Sequence, residues 1–165
     1  LVISGAEEYG DKDVLGITDG CRENADSWRN LLRSLKKRGL TIALDLACGD
    51  GALGFWTALR DVYPTTKEQR CWVQKMANIT GAMPKPMHEK AKVGLQDIWV
   101  AATKKEAIVA FDPLVETYGV KYERAVKKLT QNRDVLLTFY DFPAEHWKHI
   151  RTTNPIERVF ATVRN

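Results

Sequence analysis

The chain has 165 residues, 44% hydrophobic and 28% charged. That is enough to bury a core holding roughly 70% of the unfolded surface, and it excludes wholesale disorder. No run approaches the roughly 18 apolar residues of a membrane span, and a net charge of +4 permits nucleic-acid binding without arguing for it.

The first elements read as strands. Leu1-Val2-Ile3-Ser4-Gly5 and Asp13-Val14-Leu15-Gly16-Ile17-Thr18 flank a turn-rich link, the pattern of an antiparallel hairpin. Asn24 and Asp26 offer N-caps to a helix over Ser27–Arg38, with Trp28, Leu31, Leu32 and Leu35 at helical spacing. Lys36, Lys37 and Arg38 suit its last turn, and Gly39 reads as its C-cap. Leu40–Ala47 reads as a strand running into a tight turn, Cys48-Gly49-Asp50-Gly51. A helix over about Ala52–Val62 follows, stopped by Pro64, and Glu68–Val73 is a shorter strand.

The character then changes, and from about Lys75 to Phe142 strand signals nearly vanish. Lys90–Ala101 places Val93, Leu95, Ile98 and Trp99 roughly on one face. Lys104–Tyr118 and Tyr122–Tyr140 repeat the pattern, giving two to four amphipathic helices punctuated by Pro84, Pro86 and Pro143. The expected organisation is therefore α/β first, helical second, with a short terminal segment turning at Asn154-Pro155.

Several residues are candidates for chemistry. Asp50 follows an apolar strand between two glycines, where a carboxylate is placed to hold a divalent cation. The plain alternative is a turn aspartate, since Asp-Gly is a common turn dipeptide. Glu157 falls at the third position of a helix capped by Asn154 and opened by Pro155, where the plain reading is a capping-box glutamate. Cys71-x-x-Gln74 lacks the histidine that would make it half a metal site, so Cys71 reads as a buried thiol. His146 and His149 share a helix face with no ligand fixed beside them, and Trp147 reads as a packing anchor. Lys36-Lys37-Arg38 and Lys127-Lys128 read as solvated faces. The three cysteines are scattered, so no disulfide framework is expected.

Taken in order, these pieces resemble the Mutator-type (IS256-like) bacterial transposases. The resemblance rests on Val2-Ile3-Ser4-Gly5-Ala6, Asp19-Gly20-Cys21-Arg22-Glu23, Trp28 and Leu35–Leu40. Gly49-Asp50-Gly51-Ala52-Leu53-Gly54-Phe55-Trp56 and Glu68–Val73 extend it. Its strongest stretch is Tyr140-Asp141-Phe142-Pro143-Ala144-Glu145-His146-Trp147, continuing through Asn154-Pro155-Ile156-Glu157 to Arg164. The resemblance implies a DDE-type domain with a ribonuclease-H-like α/β core over residues 1–80, truncated and lacking its first strand. An all-helical insertion would occupy 81–145, and 146–165 would return to the core with the catalytic glutamate helix. Asp50 and Glu157 match the family's second and third acidic residues and would be both catalytic and metal-binding. Mg²⁺, or Mn²⁺ in its place, would serve the cutting and joining of transposon DNA.

The implied partners are DNA and, in the full-length protein, further copies of the chain, with no membrane and a bacterial cytoplasmic location. The position matching the first catalytic Asp would precede residue 1, so the expectation is a fragment inactive by itself. Gln74 replaces the usual histidine of a Cys-x-x-His pair, and Arg158 follows Glu157 where a small polar residue is common. A non-catalytic DNA-binding remnant, or an unrelated small α/β metal- or phosphate-binding domain, are the other readings. Against the last, the Gly-Asp-Gly turn lacks the glycine pattern of dinucleotide or P-loop sites.

Overall fold

A computed structural model describes residues 2–6, 12–17, 24–39, 45–51 and 53–153, with the backbone alone for 2–6 and 12–17. Strands β1 (Val2–Ala6) and β2 (Lys12–Ile17) pair antiparallel with an irregularity between Ile3 and Ser4, as the hairpin pattern predicts.

Helix α1 (Ala25–Lys37) is capped by Asn24, whose side-chain oxygen accepts from the Ser27 N–H at 2.9 Å. Asp26 lies inside the first turn and pairs with Arg29. The C-cap is Arg38, and Gly39 follows with a φ of 116°, the left-handed conformation that glycine adopts at no steric cost.

Strand β3 (Leu46–Gly49), helix α2 (Leu53–Val62) and strand β4 (Lys67–Arg70) form a β-α-β unit with parallel strands, Leu46 opposite Lys67 and Gly49 opposite Arg70. Two expectations are corrected here. The strand read over Leu40–Ala47 does not end at Ala47 but runs on through Cys48 and Gly49, because the ladder with β4 continues that far; of the rest of that reading, residues 40–44 lie outside the described set. The strand read over Glu68–Val73 ends at Arg70, because Cys71 caps helix α3 (Trp72–Thr80).

The α1–α2 pair closes one core. Trp28, Leu31, Leu32 and Leu35 pack against Trp56, Ala58, Leu59, Val62 and Tyr63. Gly49 allows this close approach: a Cβ there would stand 3.2 Å from the Trp56 ring and 3.3 Å from the Phe55 ring.

Beyond α3 the chain is helical, with no strand from residue 84 to 142, as the apolar spacing predicts. Helix α4 (His88–Trp99) precedes α5 (Lys104–Val109) and α6 (Phe111–Tyr118). Then come α7 (Glu123–Thr130), the short α8 (Arg133–Leu136) and 3₁₀ turns at Thr138–Asp141 and Ala144–His146, before α9 (Trp147–Ile150). The break between α5 and α6 has a local cause. Pro113 has no N–H and its ring would clash with the carbonyl of Val109 in a continuous helix. On α4 the buried face is Ala91, Leu95 and Ile98, spaced i, i+4, i+7, so Val93 faces solvent, contrary to expectation. On α5 Ala107 is buried and Ile108 exposed.

This helical part surrounds a second core built on Trp72, Leu95, Ile98, Phe111, Leu129, Leu136 and Phe139. A buried polar bracket ties it to β4. The Gln69 side chain donates to the Leu136 carbonyl at 2.9 Å and accepts from the Phe139 N–H at 2.8 Å. The Trp72 indole N–H donates to the same Leu136 carbonyl at 2.9 Å. Among the described residues no helix is long and apolar enough to cross a membrane.

Two measurements follow from these buried groups. Gln69→Leu strands the Phe139 N–H without an acceptor and is expected to cost about 1–3 kcal/mol in a denaturant titration; Gln96→Leu, on the exposed side of α4, should stay within about 0.5 kcal/mol. Tyr140 donates from its hydroxyl to the carbonyls of Ile98 and Ala101, and burial pushes its pKa from 10.0 up to about 12. The folded state therefore holds this proton more tightly than the unfolded chain. The contribution is complete below pH 10 and is lost as pH rises toward 12. Unfolding midpoints measured from pH 9 to 12 should fall, and Tyr140→Phe should flatten that part of the fall.

Candidate functional site

Asp50 and Arg70 stand together at the carboxyl end of the parallel pair. Asp50 follows β3 directly and is exposed, so its carboxylate stands at a strand end, as the sequence predicts. Its backbone is held from both sides. The Asp50 carbonyl accepts from the Trp56 indole N–H at 2.8 Å and from Arg70 Nη1 at 3.2 Å. Arg70 lies at the end of β4, with its guanidinium over the Trp56 ring at 5.0 Å. Burial lowers its pKa, opposed by the charges of Glu68 and Asp50 and reinforced by Arg60.

One residue further on, the Cys71 N–H donates to the Gly49 carbonyl at 2.7 Å, extending the ladder by a bond. Cys71 is buried, as expected, and its sulfur has a specific partner. The Thr153 backbone N–H and hydroxyl approach Sγ at 3.2 and 3.3 Å. Next to it the Trp72 N–H, left without a partner inside the helix it starts, donates to the Arg151 carbonyl at 2.9 Å. Arg151 in turn donates from Nη1 to the Trp99 carbonyl at 2.7 Å. Residues 151–153 are thereby fastened beside the strand end that precedes Asp50.

Glu157 and Arg158 lie outside the described residues. Thr153 stands four positions before Glu157, a span of at most about 14 Å of extended chain. Among the described residues no three His, Cys, Asp or Glu side chains are grouped to hold a metal.

The remaining candidates have structural partners. Trp147 is the anchor expected of it, edge-on to Phe139 and Tyr140, with its indole N–H on the Phe142 carbonyl at 2.8 Å. His146 lies 3.5 Å from Glu145, a carboxylate the spacing argument did not place. Lys36 donates to the Val62 carbonyl and covers the Tyr63 ring, while Lys37, Arg38 and Lys127 are exposed. Gln69, Arg70 and Thr153 escaped the sequence reading. A polar strand, Lys67-Glu68-Gln69-Arg70, carries no apolar alternation to mark which side chain turns inward.

Comparison with known proteins identifies the family. The model of the family described as "Transposase, Mutator family" matches residues 1–165, and the chain belongs to that family. The chain is 54% identical, over 165 residues, to the transposase for insertion sequence element IST2 of Acidithiobacillus ferrooxidans, covering 100% of this chain and 56% of that protein. It is 52% identical to the transposase for insertion sequence element IS6120 of Mycolicibacterium smegmatis, over 99% of this chain and 50% of the relative. The transposase for insertion sequence element IS905 of Lactococcus lactis is 31% identical over 93% of this chain and 39% of its own length. The chain thus spans about half the length of the first two.

The Cys71–Thr153 contact generates a local test. Cys71→Ala removes the acceptor and should speed exchange of the Thr153 amide proton by about 2- to 10-fold, the equivalent of one net hydrogen bond. Cys71→Ser keeps an acceptor and should restore most of the protection, read by NMR hydrogen exchange.

Proposed function

We propose that this chain is part of a DDE transposase of the IS256-like group, and that it contributes carboxylates to metal-assisted cutting and joining of transposon DNA. The observation that carries this reading is the placement of Asp50. It is an exposed carboxylate at the carboxyl end of a parallel strand, with the segment leading to Glu157 fastened one strand away at Cys71. Open α/β sheets bind their ligands at that end.

The donor chemistry fits a hard cation. Mg²⁺ takes one or two carboxylates and keeps several waters, so Asp50 serves as one ligand and Glu157 as the other. Bound Mg²⁺, or Mn²⁺ in its place, would stabilise charge on a transferring phosphoryl group and activate the attacking oxygen. The protein's own task is positional. The Trp56 and Arg70 bonds to the Asp50 carbonyl hold the backbone under the carboxylate in one place. The β-α-β unit is read as part of a ribonuclease-H-like core, and the helices between α3 and α9 as an insertion bracketed onto β4. DNA is the substrate in this reading, further copies of the chain are its partners, and the bacterial cytoplasm is the compartment.

The test is a nicking assay on supercoiled plasmid with Mg²⁺ and with Mn²⁺, using the full-length protein. Asp50→Asn is expected to lower nicking by about 100-fold or more while leaving DNA binding in place. Nicking undiminished in Asp50→Asn would overturn the assignment of this carboxylate. A protein that binds DNA and nicks it with neither metal would favour the non-catalytic DNA-binding reading.

A further inference from the structure

The group that the carboxylate chemistry leaves unexplained is Arg70. The residue is half-buried, and its guanidinium lies over the ring of an apolar partner, Trp56, 5.0 Å from the centroid. Nη1 is spent on the Asp50 carbonyl, and Nε is buried with no hydrogen-bond partner. Nη2 makes no hydrogen bond to any described residue. Glu68, two residues back and on the same side of the strand, is held by Arg60 at 2.8 Å. Arg70 thus forms no ion pair among the described residues.

Removing a cation from water without pairing it is costly, and folds tolerate it where an anion completes the set. A guanidinium is a rigid planar fork that matches the oxygens of a phosphate in bidentate fashion. Here the guanidinium is already placed: it lies over the Trp56 ring and Nη1 is tied to the Asp50 carbonyl. It stands at the same strand end as the Asp50 carboxylate, and both are carried by the parallel pair.

We propose that Arg70 is a phosphate-binding residue whose guanidinium takes a phosphodiester of the DNA strand lying beside Asp50. The proposal rests on the DNA reading given above. A contact to the backbone carries no base information, so its effect is the same on any duplex sequence. It also requires the guanidinium in particular. A lysine at this position keeps the charge but gives up the planar guanidinium and its several donors in fixed geometry.

The experiment measures binding of the full-length protein to a fluorescein-labelled 20-base-pair duplex of arbitrary sequence across a salt series, by fluorescence anisotropy. Arg70→Gln should weaken binding several-fold and reduce the slope of log K against log salt by about 0.9, the value of one phosphate contact. Lys105→Gln, the same charge change at an exposed position on α5, should leave the slope unchanged. Arg70→Lys should keep the slope and still lose affinity. A second measurement uses the unsubstituted protein, so it stands even if Arg70→Gln does not fold. The side-chain ¹⁵N resonance of Arg70, assigned by its absence in Arg70→Lys, should shift when duplex is added.

A slope unchanged in Arg70→Gln, an equal reduction in Lys105→Gln, or an Arg70 resonance indifferent to DNA overturns the proposal. So does a resonance that moves in Glu157→Gln but not with DNA, which would mark an ion pair within the chain. Failure of the unsubstituted protein to bind any duplex sinks the DNA reading itself, and this inference with it.

Discussion

The constraint on which the rest depends is the hydrogen-bonding of one buried glutamine. Gln69 sits in a strand whose other side chains are charged, and it is wholly inaccessible to solvent. A buried primary amide is costly unless its donors and acceptor are used. Here Nε2 donates to the carbonyls of Arg70 and Leu136 and the oxygen accepts from Phe139. The Leu136 carbonyl is shared with Trp72, so strand β4, the start of α3 and the end of the helical part are fixed to one another through a single polar knot. Slipping any of the three strands a buried polar group.

That knot sets the stage for the strand end. With β4 fixed, the parallel ladder places Gly49 opposite Arg70, and Cys71 adds one bond beyond it. Asp50 emerges where the ladder stops, its carbonyl clamped by Trp56 from α2 and Arg70 from β4. Gly49 eases the packing in this arrangement, because a Cβ there would crowd the Trp56 and Phe55 rings of α2 at 3.2 and 3.3 Å. The glycine before the aspartate thus serves the α2 contact, while Asp50 itself is exposed at the strand end.

The return of the chain depends on equally modest bonds. A backbone N–H orphaned at the start of α3 and a buried thiol receive residues 151–153. None of these three bonds is strong alone, but all lie at the strand end beside Asp50. The helical part, large as it is, is arranged so that its two ends meet the β-α-β unit within a few residues of each other, at Trp72 and at Arg151. A segment with that connectivity can pack as a body of its own beside the parallel pair.

Much of this was legible in the amino-acid sequence, and for a clear reason. Helices α1, α2, α4 and α7 follow from the spacing of apolar residues, because which face is buried depends on a local period of 3.6 residues. Asp50 at a strand end was legible from an apolar run meeting a glycine turn, and membership of the Mutator family from motifs spread along the chain. What the sequence could not decide was where polar side chains turn inward. Lys67-Glu68-Gln69-Arg70 has no apolar alternation, so neither the burial of Gln69 nor the placement of Arg70 over the Trp56 ring has a local signature. The strand boundary at Arg70 and the contact of Thr153 with Cys71 are likewise settled by partners dozens of residues away. Local periodicity determined the helices and the position of the carboxylate. Only the tertiary structure decided which polar groups are satisfied and by whom, because a hydrogen bond between distant residues leaves no periodic trace in either of the segments that make it.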